Sequence, residues 1–265
     1  MKQFKKRISL SVVAVATSVF LLPMQAIADS APYDYGTKYQ SVLNDSKLQA
    51  PDSSTVAIAQ GDFEGAYNEY FYIPSSGNKW LTFQIGPDEK MRSELRQMEN
   101  WYTGDTSYNK MIGEVLLLEK GTADEVTLMQ IHDDANAAVD EGEDKINKPL
   151  VRIAWLEEQK ETGASSKTYD SYFAIVKTGI CASSCSDYVK YKLADYSATE
   201  AVKFEIKVAS NKLTIKVNGV AHEEFNNFDV SYWDGLPSYF KAGAYIQSDT
   251  SPDVEVQFSS LKYYD

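Results

Sequence analysis

Tyr239-Phe240-Lys241-Ala242-Gly243-Ala244-Tyr245-Ile246-Gln247 alternates with a period of two. Tyr239, Lys241, Gly243, Tyr245 and Gln247 fall on one face of a strand, and Phe240, Ala242, Ala244 and Ile246 on the other. The second set is an ordinary core face. The first joins two phenols, an ammonium and an amide to a glycine that leaves room above the backbone, and reads as a surface that meets a ligand. Two further stretches share this build. Arg92, Glu94 and Arg96 lie on one face with Leu95 behind, and Gln130 and His132 lie on one face with Met129 and Ile131 behind. Set side by side in one sheet, the three rows merge into a patch of Arg, Gln, His, Tyr and Lys.

The rest of the chain supplies strands for such a sheet. Strands are expected at 56–59, 67–73, 79–85, 112–119, 125–132, 150–157, 169–177, 189–193, 201–209 and 254–263. Asn218-Gly219 joins 212–217 to 220–225 as a two-residue hairpin. No long helical period occurs and no repeat or second domain is visible, so the fold class is all-β: an antiparallel β-sandwich of jelly-roll type with a concave face. Residues 29–50 read as a polar arm leading into the first strand. Residues 133–148, rich in Asp, Glu, Asn and Ala, read as a solvated loop placed to act as a lid. Their acids leave room for a non-catalytic calcium ion, although the spacing is not that of an EF-hand.

Lys2, Lys5, Lys6 and Arg7 precede an apolar run from Ile8 to Pro23 and the small-x-small end Ala26-Ile27-Ala28. This is the pattern of a secretory signal peptide over 1–28, leaving 29–265 as one domain that is secreted or periplasmic. In an oxidising compartment Cys181 and Cys185, the two cysteines of the chain, are expected to form a short disulfide that pins a loop. The formal net charge of −12, more negative still without the basic leader, argues against nucleic acid and against an anionic membrane as partners. A polyanion could bind only where cations gather locally, as they do in the three rows.

Arg92-Ser93-Glu94-Leu95-Arg96, Gln130-Ile131-His132 and Tyr239 to Gln247 resemble, in order and spacing, the three signature blocks of the alginate lyases of polysaccharide lyase family 7. The resemblance implies a concanavalin A-like jelly roll whose concave sheet holds alginate. It also implies β-elimination without a metal or redox cofactor, by a protein expected to be monomeric and endo-acting. Elimination removes a weakly acidic hydrogen beside a carboxylate that is already charged. That carboxylate must be neutralised, a base must reach the hydrogen, and an acid must protonate the leaving oxygen.

Carried onto this chain, the resemblance makes Arg92 and Gln130 the carboxylate-binding pair, His132 the base and Tyr245 the acid. On mannuronate, where hydrogen and leaving group share a face, Tyr245 would serve as both. A neutral imidazole is available near pH 7. Arg96, Lys241 and Gln247 would hold neighbouring sugars or the carboxylate network, Glu94 would orient the arginines on either side of it, and Tyr239 would stack on a sugar or support the wall. Isoleucine at 131 accompanies guluronate-containing blocks within the family. His222, beside Glu223 and Glu224, matches no block and is given no role. A non-catalytic carbohydrate-binding module on the same sandwich remains a competing reading. A jelly-roll hydrolase does too, but it would need a second carboxylate opposite Glu94.

Overall fold

The computed structural model describes residues 28–86, 92–140, 146–180, 187–247 and 253–265. Along the chain run the short helix α1 (Gln40–Asn44), then β1 (Ser46–Gln49), β2 (Val56–Ile58), β3 (Phe71–Tyr72), β4 (Leu81–Ile85), β5 (Arg92–Gln97), β6 (Asn109–Glu119) and β7 (Glu125–Asp133). After helix α2 (Ala135–Asp140) come β8 (Pro149–Lys160), β9 (Lys167–Lys177), β10 (Tyr188–Asp195), β11 (Val202–Ala209), β12 (Lys212–Val217), β13 (Val220–Asp229), β14 (Ser238–Ile246) and β15 (Val254–Tyr264).

Two antiparallel sheets face each other, one of order β10-β9-β8-β7-β14-β5-β1-β2 and one of order β13-β12-β11-β6-β15-β4-β3. The expected sandwich is observed. Alternation drives it: Leu95, Met129, Ile153 and Ala242 point inward from the first sheet, and Phe83, Val115, Phe204, Ile215 and Phe258 from the second, all buried. Each of these side chains larger than alanine contributes about 1.5–3 kcal/mol by leaving water. A relay of rings from Phe63, in the loop after β2, through Phe71 and Phe83 to Phe258, with centroids 5.4–5.7 Å apart, runs across β3, β4 and β15 on the inner face of the second sheet.

Several expectations are corrected. Residues 29–50, expected as a polar arm leading into the first strand, already hold α1 and β1, and Tyr39, Val42 and Leu43 are buried. The Tyr39 hydroxyl donates to the Phe258 carbonyl at 2.9 Å, and burial pushes that phenol up to about 12. The strand expected over 67–73 shrinks to Phe71–Tyr72, because Asn68 exchanges backbone hydrogen bonds with Phe71 and its side chain caps Tyr70, folding the chain back. The stretch 133–148 begins not as a solvated loop but as the end of β7 followed by α2, whose Ala135 and Ala138 are buried. Two alanines suffice to seat a helix of this length, too faint a stripe to register as an apolar period.

Gly243 also plays a different part from the one expected. Its φ is +147°, and a Cβ there would lie 2.2 Å from the Ser93 carbonyl oxygen and 3.0 Å from the Phe83 ring. The residue lets β14 lie close against β5, with which it pairs in unbroken register, while the register with β7 on the other side shifts between Ala242 and Tyr245. Cys181 and Cys185, and the apolar run of the leader, lie outside the described residues.

Candidate active site

β14 lies between β7 and β5, so the three rows do merge. Lys241 pairs in register with Arg96 on one side and Gln130 on the other, Tyr239 with His132, and Tyr245 with Arg92. Directly paired residues share a face and stand about 4.5–5.5 Å apart, which turns matching positions in distant parts of the sequence into one surface. The surface floors a cleft of about 820 Å³ that includes Arg92, Arg96, His132, Tyr239, Lys241 and Tyr245. A smaller hollow beside it is shared by Arg92, Gln130, His132, Tyr245 and Gln247.

Glu94 is the electrostatic centre. It is wholly buried, yet Lys241 Nζ lies 2.7 Å and Arg92 Nη1 3.1 Å from its Oε2, and Gln130 Nε2 donates to its Oε1 at 2.5 Å. Burial raises the carboxyl, but the two cations and the amide outweigh it and hold Glu94 below the usual carboxylate range. Burial lowers Lys241 to about 8, against the pull of Glu94 and with the help of Arg92 and Arg96. One detail differs from expectation: Glu94 bonds only one of its flanking arginines, since Arg96 turns away to Asp134 at 2.8 Å. Lys241 sits within the floor, 2 % exposed, on the Glu94 carboxylate.

The aromatic groups stand over these cations. The Arg92 guanidinium lies 4.3 Å from the centroid of the Tyr245 ring, and that of Arg96 lies 3.9 Å from the centroid of Tyr239. Tyr239 stacks in turn on His132, with centroids 5.7 Å apart at 19°. Gln247 Nε2 reaches the Tyr245 hydroxyl at 3.4 Å. His222 lies apart from the cleft, packed on Phe225 and bonded to the Lys192 carbonyl.

Sequence reasoning missed four contributors. Lys47 and Gln49 of β1 extend the cleft beyond β5. Their signal was present, because Lys47-Leu48-Gln49 repeats the build of the other rows. Asp134 was not singled out, though it clamps Arg96 and Asn100. Asp133 gave no signal at all. A register shift between Ile131 and His132 turns the strand end so that the buried Asp133 carboxylate lies 3.1 Å from His132 Nδ1, whose other neighbour is the Asp133 carbonyl at 2.9 Å. Backbone N–H groups of Asn147 and Lys148 hold that carboxylate at 2.7 and 2.9 Å. Both groups facing Nδ1 can only accept, so Nδ1 carries the proton and the lone pair of a neutral ring resides on Nε2.

The eight-stranded sheet thus gathers cations, an imidazole and a phenol along one open cleft. The family model for alginate lyase matches residues 42–265, and the chain belongs to that family, polysaccharide lyase family 7. An alginate lyase of Photobacterium sp. is 28 % identical over 98 % of both chains. Among solved structures, alginate lyase AlyC3 superposes with a TM-score of 0.74 at 26 % identity, covering 89 % of this chain and 96 % of its own. Alginate lyase A1-II', a member of the same family, has a TM-score of 0.67 at 21 % identity over 86 % and 97 % of the two chains, a likeness of fold.

Proposed function

We propose that the cleft depolymerises alginate internally by β-elimination, with His132 and Tyr245 moving the protons. The observation that carries this reading is the pair of oxygens, the Asp133 carboxylate and carbonyl, facing His132 Nδ1 in a hollow that His132 shares with Tyr245, Arg92 and Gln130. A uronate carboxylate docks against Arg92 and Gln130, which offset the charge that builds as the carbon-5 hydrogen leaves. Nε2 of His132 takes that proton. The freed electron pair forms the double bond between carbons 4 and 5, the bond from carbon 4 to the glycosidic oxygen breaks, and the Tyr245 hydroxyl protonates the leaving oxygen. Solvent then restores both side chains. On mannuronate Tyr245 would take both steps. The Asp133 carboxylate positions the imidazole and stabilises the cation formed on it.

Endo action is supported by the groove continuing on both sides of this pair, toward Lys47 and Gln49 in one direction and toward Lys148 and Gln247 in the other. Arg96, Gln247 and the β1 residues would seat neighbouring sugars. The lean toward guluronate-containing blocks rests on Ile131, which is buried in the core and acts only through sheet packing. AlyC3 has been captured with dimannuronate, so both block types belong in the assay. The protein is further proposed to be exported by its leader, to carry the Cys181–Cys185 disulfide, and to work as a monomer without a required cofactor.

Ultraviolet absorbance of the unsaturated uronate, followed in parallel on guluronate-rich and mannuronate-rich alginate with and without chelator, tests the proposal. A rise on both, faster on the guluronate-rich polymer and indifferent to chelator, is expected. A flat trace from folded protein that still binds alginate would replace it with the carbohydrate-binding module.

A further inference from the structure

The outward face of the seven-stranded sheet carries a second concentration of positive charge, remote from the cleft. Lys207 of β11 pairs directly with Lys110 of β6, which pairs with Tyr264 of β15; one step along, Ile112 pairs with Lys262, and Glu114 with Lys203. The alternate residues Met111, Ile206, Val208 and Leu261 are buried in the core, so the lysines share the solvent side. Like charges placed directly opposite each other across a strand pair are unfavourable. Among the described residues, Lys110, Lys207 and Lys262 have no carboxylate within ion-pair distance, and the nearby Glu205 is taken by Lys216 at 3.0 Å.

Two of these lysines, Lys110 and Lys207, are instead held by rings. Lys110 Nζ lies 4.3 Å from the centroid of Tyr264 and 5.0 Å from that of Tyr108, and Lys207 Nζ lies 5.1 Å from Tyr108. Such contacts orient an ammonium group without neutralising it. The result is a pre-arranged row of positive charge on a protein whose formal net charge is −12, where random placement would favour the opposite sign.

We propose that this face is a second binding site for an anionic polysaccharide, separate from the cleft, with Lys110, Lys207 and Lys262 receiving carboxylates and Tyr108, which is 40 % exposed, offering a ring to a sugar. The partner is a polyuronate, and alginate is the one the family supplies. Lys110 and Lys207, directly opposite on neighbouring strands about 4.8 Å apart, are spaced at roughly the length of one sugar unit, and Lys262 lies diagonally across from Lys110 on the next strand. The site would keep the enzyme on a polymer network between cuts. It rests on alginate being the substrate, but not on the assignment of His132 and Tyr245.

The test is migration of the full chain through gels containing alginate or a neutral glucan, comparing H132A with H132A carrying K110Q, K207Q and K262Q. In parallel, the three lysine changes alone are assayed for turnover of a short unsubstituted uronate oligomer. The expected result is about three- to thirtyfold weaker retention by alginate, the scale of three exposed ion pairs, with oligomer turnover at the parent rate. Unchanged retention would overturn the proposal. A parallel loss of oligomer turnover would overturn it as well, since a separate face is not needed for a substrate too short to reach it. Absence of turnover in the parent, with retention still dependent on the lysines, would instead count against the lyase mechanism and leave this site standing.

Discussion

Strands β5 and β11 are written almost alike. Arg92-Ser93-Glu94-Leu95-Arg96 and Lys203-Phe204-Glu205-Ile206-Lys207 both alternate cation, acid and cation over an apolar backing. In β11 the acid stays at the surface and pairs with Lys216, side chains 16 % and 35 % exposed. In β5 it is sealed, with Lys241, Arg92 and Gln130 converging on it. The difference comes from the neighbours. β11 lies between β6 and β12, which set Lys110, Ile112, Glu114, Thr214 and Lys216 beside its outward row, whereas β5 lies against β14 and, one strand further, β7. A charged row becomes a site when adjacent strands bring groups that exclude water from it.

Replacing the two acids is the widest test of this contrast. E94A strands a buried ammonium and is expected to cost about 3–5 kcal/mol of stability together with most turnover. E205A, at a solvated pair, should change stability by about 0–1 kcal/mol and leave turnover alone. Urea unfolding read beside initial rates measures both, and equal costs would dissolve the distinction.

A smaller effect is expected at Asp133. D133N removes the charge beside Nδ1 while keeping an acceptor, and turnover should fall about ten- to a hundredfold, part of what a positioned base contributes. KM should hold and the pH profile should move. A simple loss of folded protein without a change in that profile would assign Asp133 a structural role only.

The mildest effect concerns pH. Lys241 is charged below about 8, so turnover should decline as pH rises past that value and Glu94 loses its partner. K241R, charged throughout, should extend the alkaline limb. Stability moves the other way: the folded lysine sits below its unfolded value near 10.4, so the cost of burying its charge is fully present below about 8 and is relieved as pH climbs toward 10.4. Glu94, held low, contributes stability that is lost only as pH falls through its folded value. Coincident alkaline limbs in wild type and K241R would remove Lys241 from the working charge balance.

The alternation of apolar and polar residues was enough to read the sandwich and the meeting of β5, β7 and β14, because burial on one face of a strand leaves a period of two in the sequence. Lys47 and Gln49 were legible by the same rule, in a strand of four residues flanked by polar sequence. Other features were not. The Asp133 carboxylate reaches His132 only through a register shift, and Gly243 answers to the backbone of a neighbouring strand. Neither leaves a period, since both arise from how strands slip past one another. The helix over 135–140 hid for a related reason, the described side chains it buries being alanines.

Rates of unsaturated uronate release by wild type, H132A and H222A on one alginate sample address the centre of the account. The fixed Nε2 lone pair predicts that H132A loses about 10²–10⁴-fold in turnover while still being retained by alginate, and that H222A matches wild type. H132A with near-normal turnover, or losses of equal size in both variants, would contradict it.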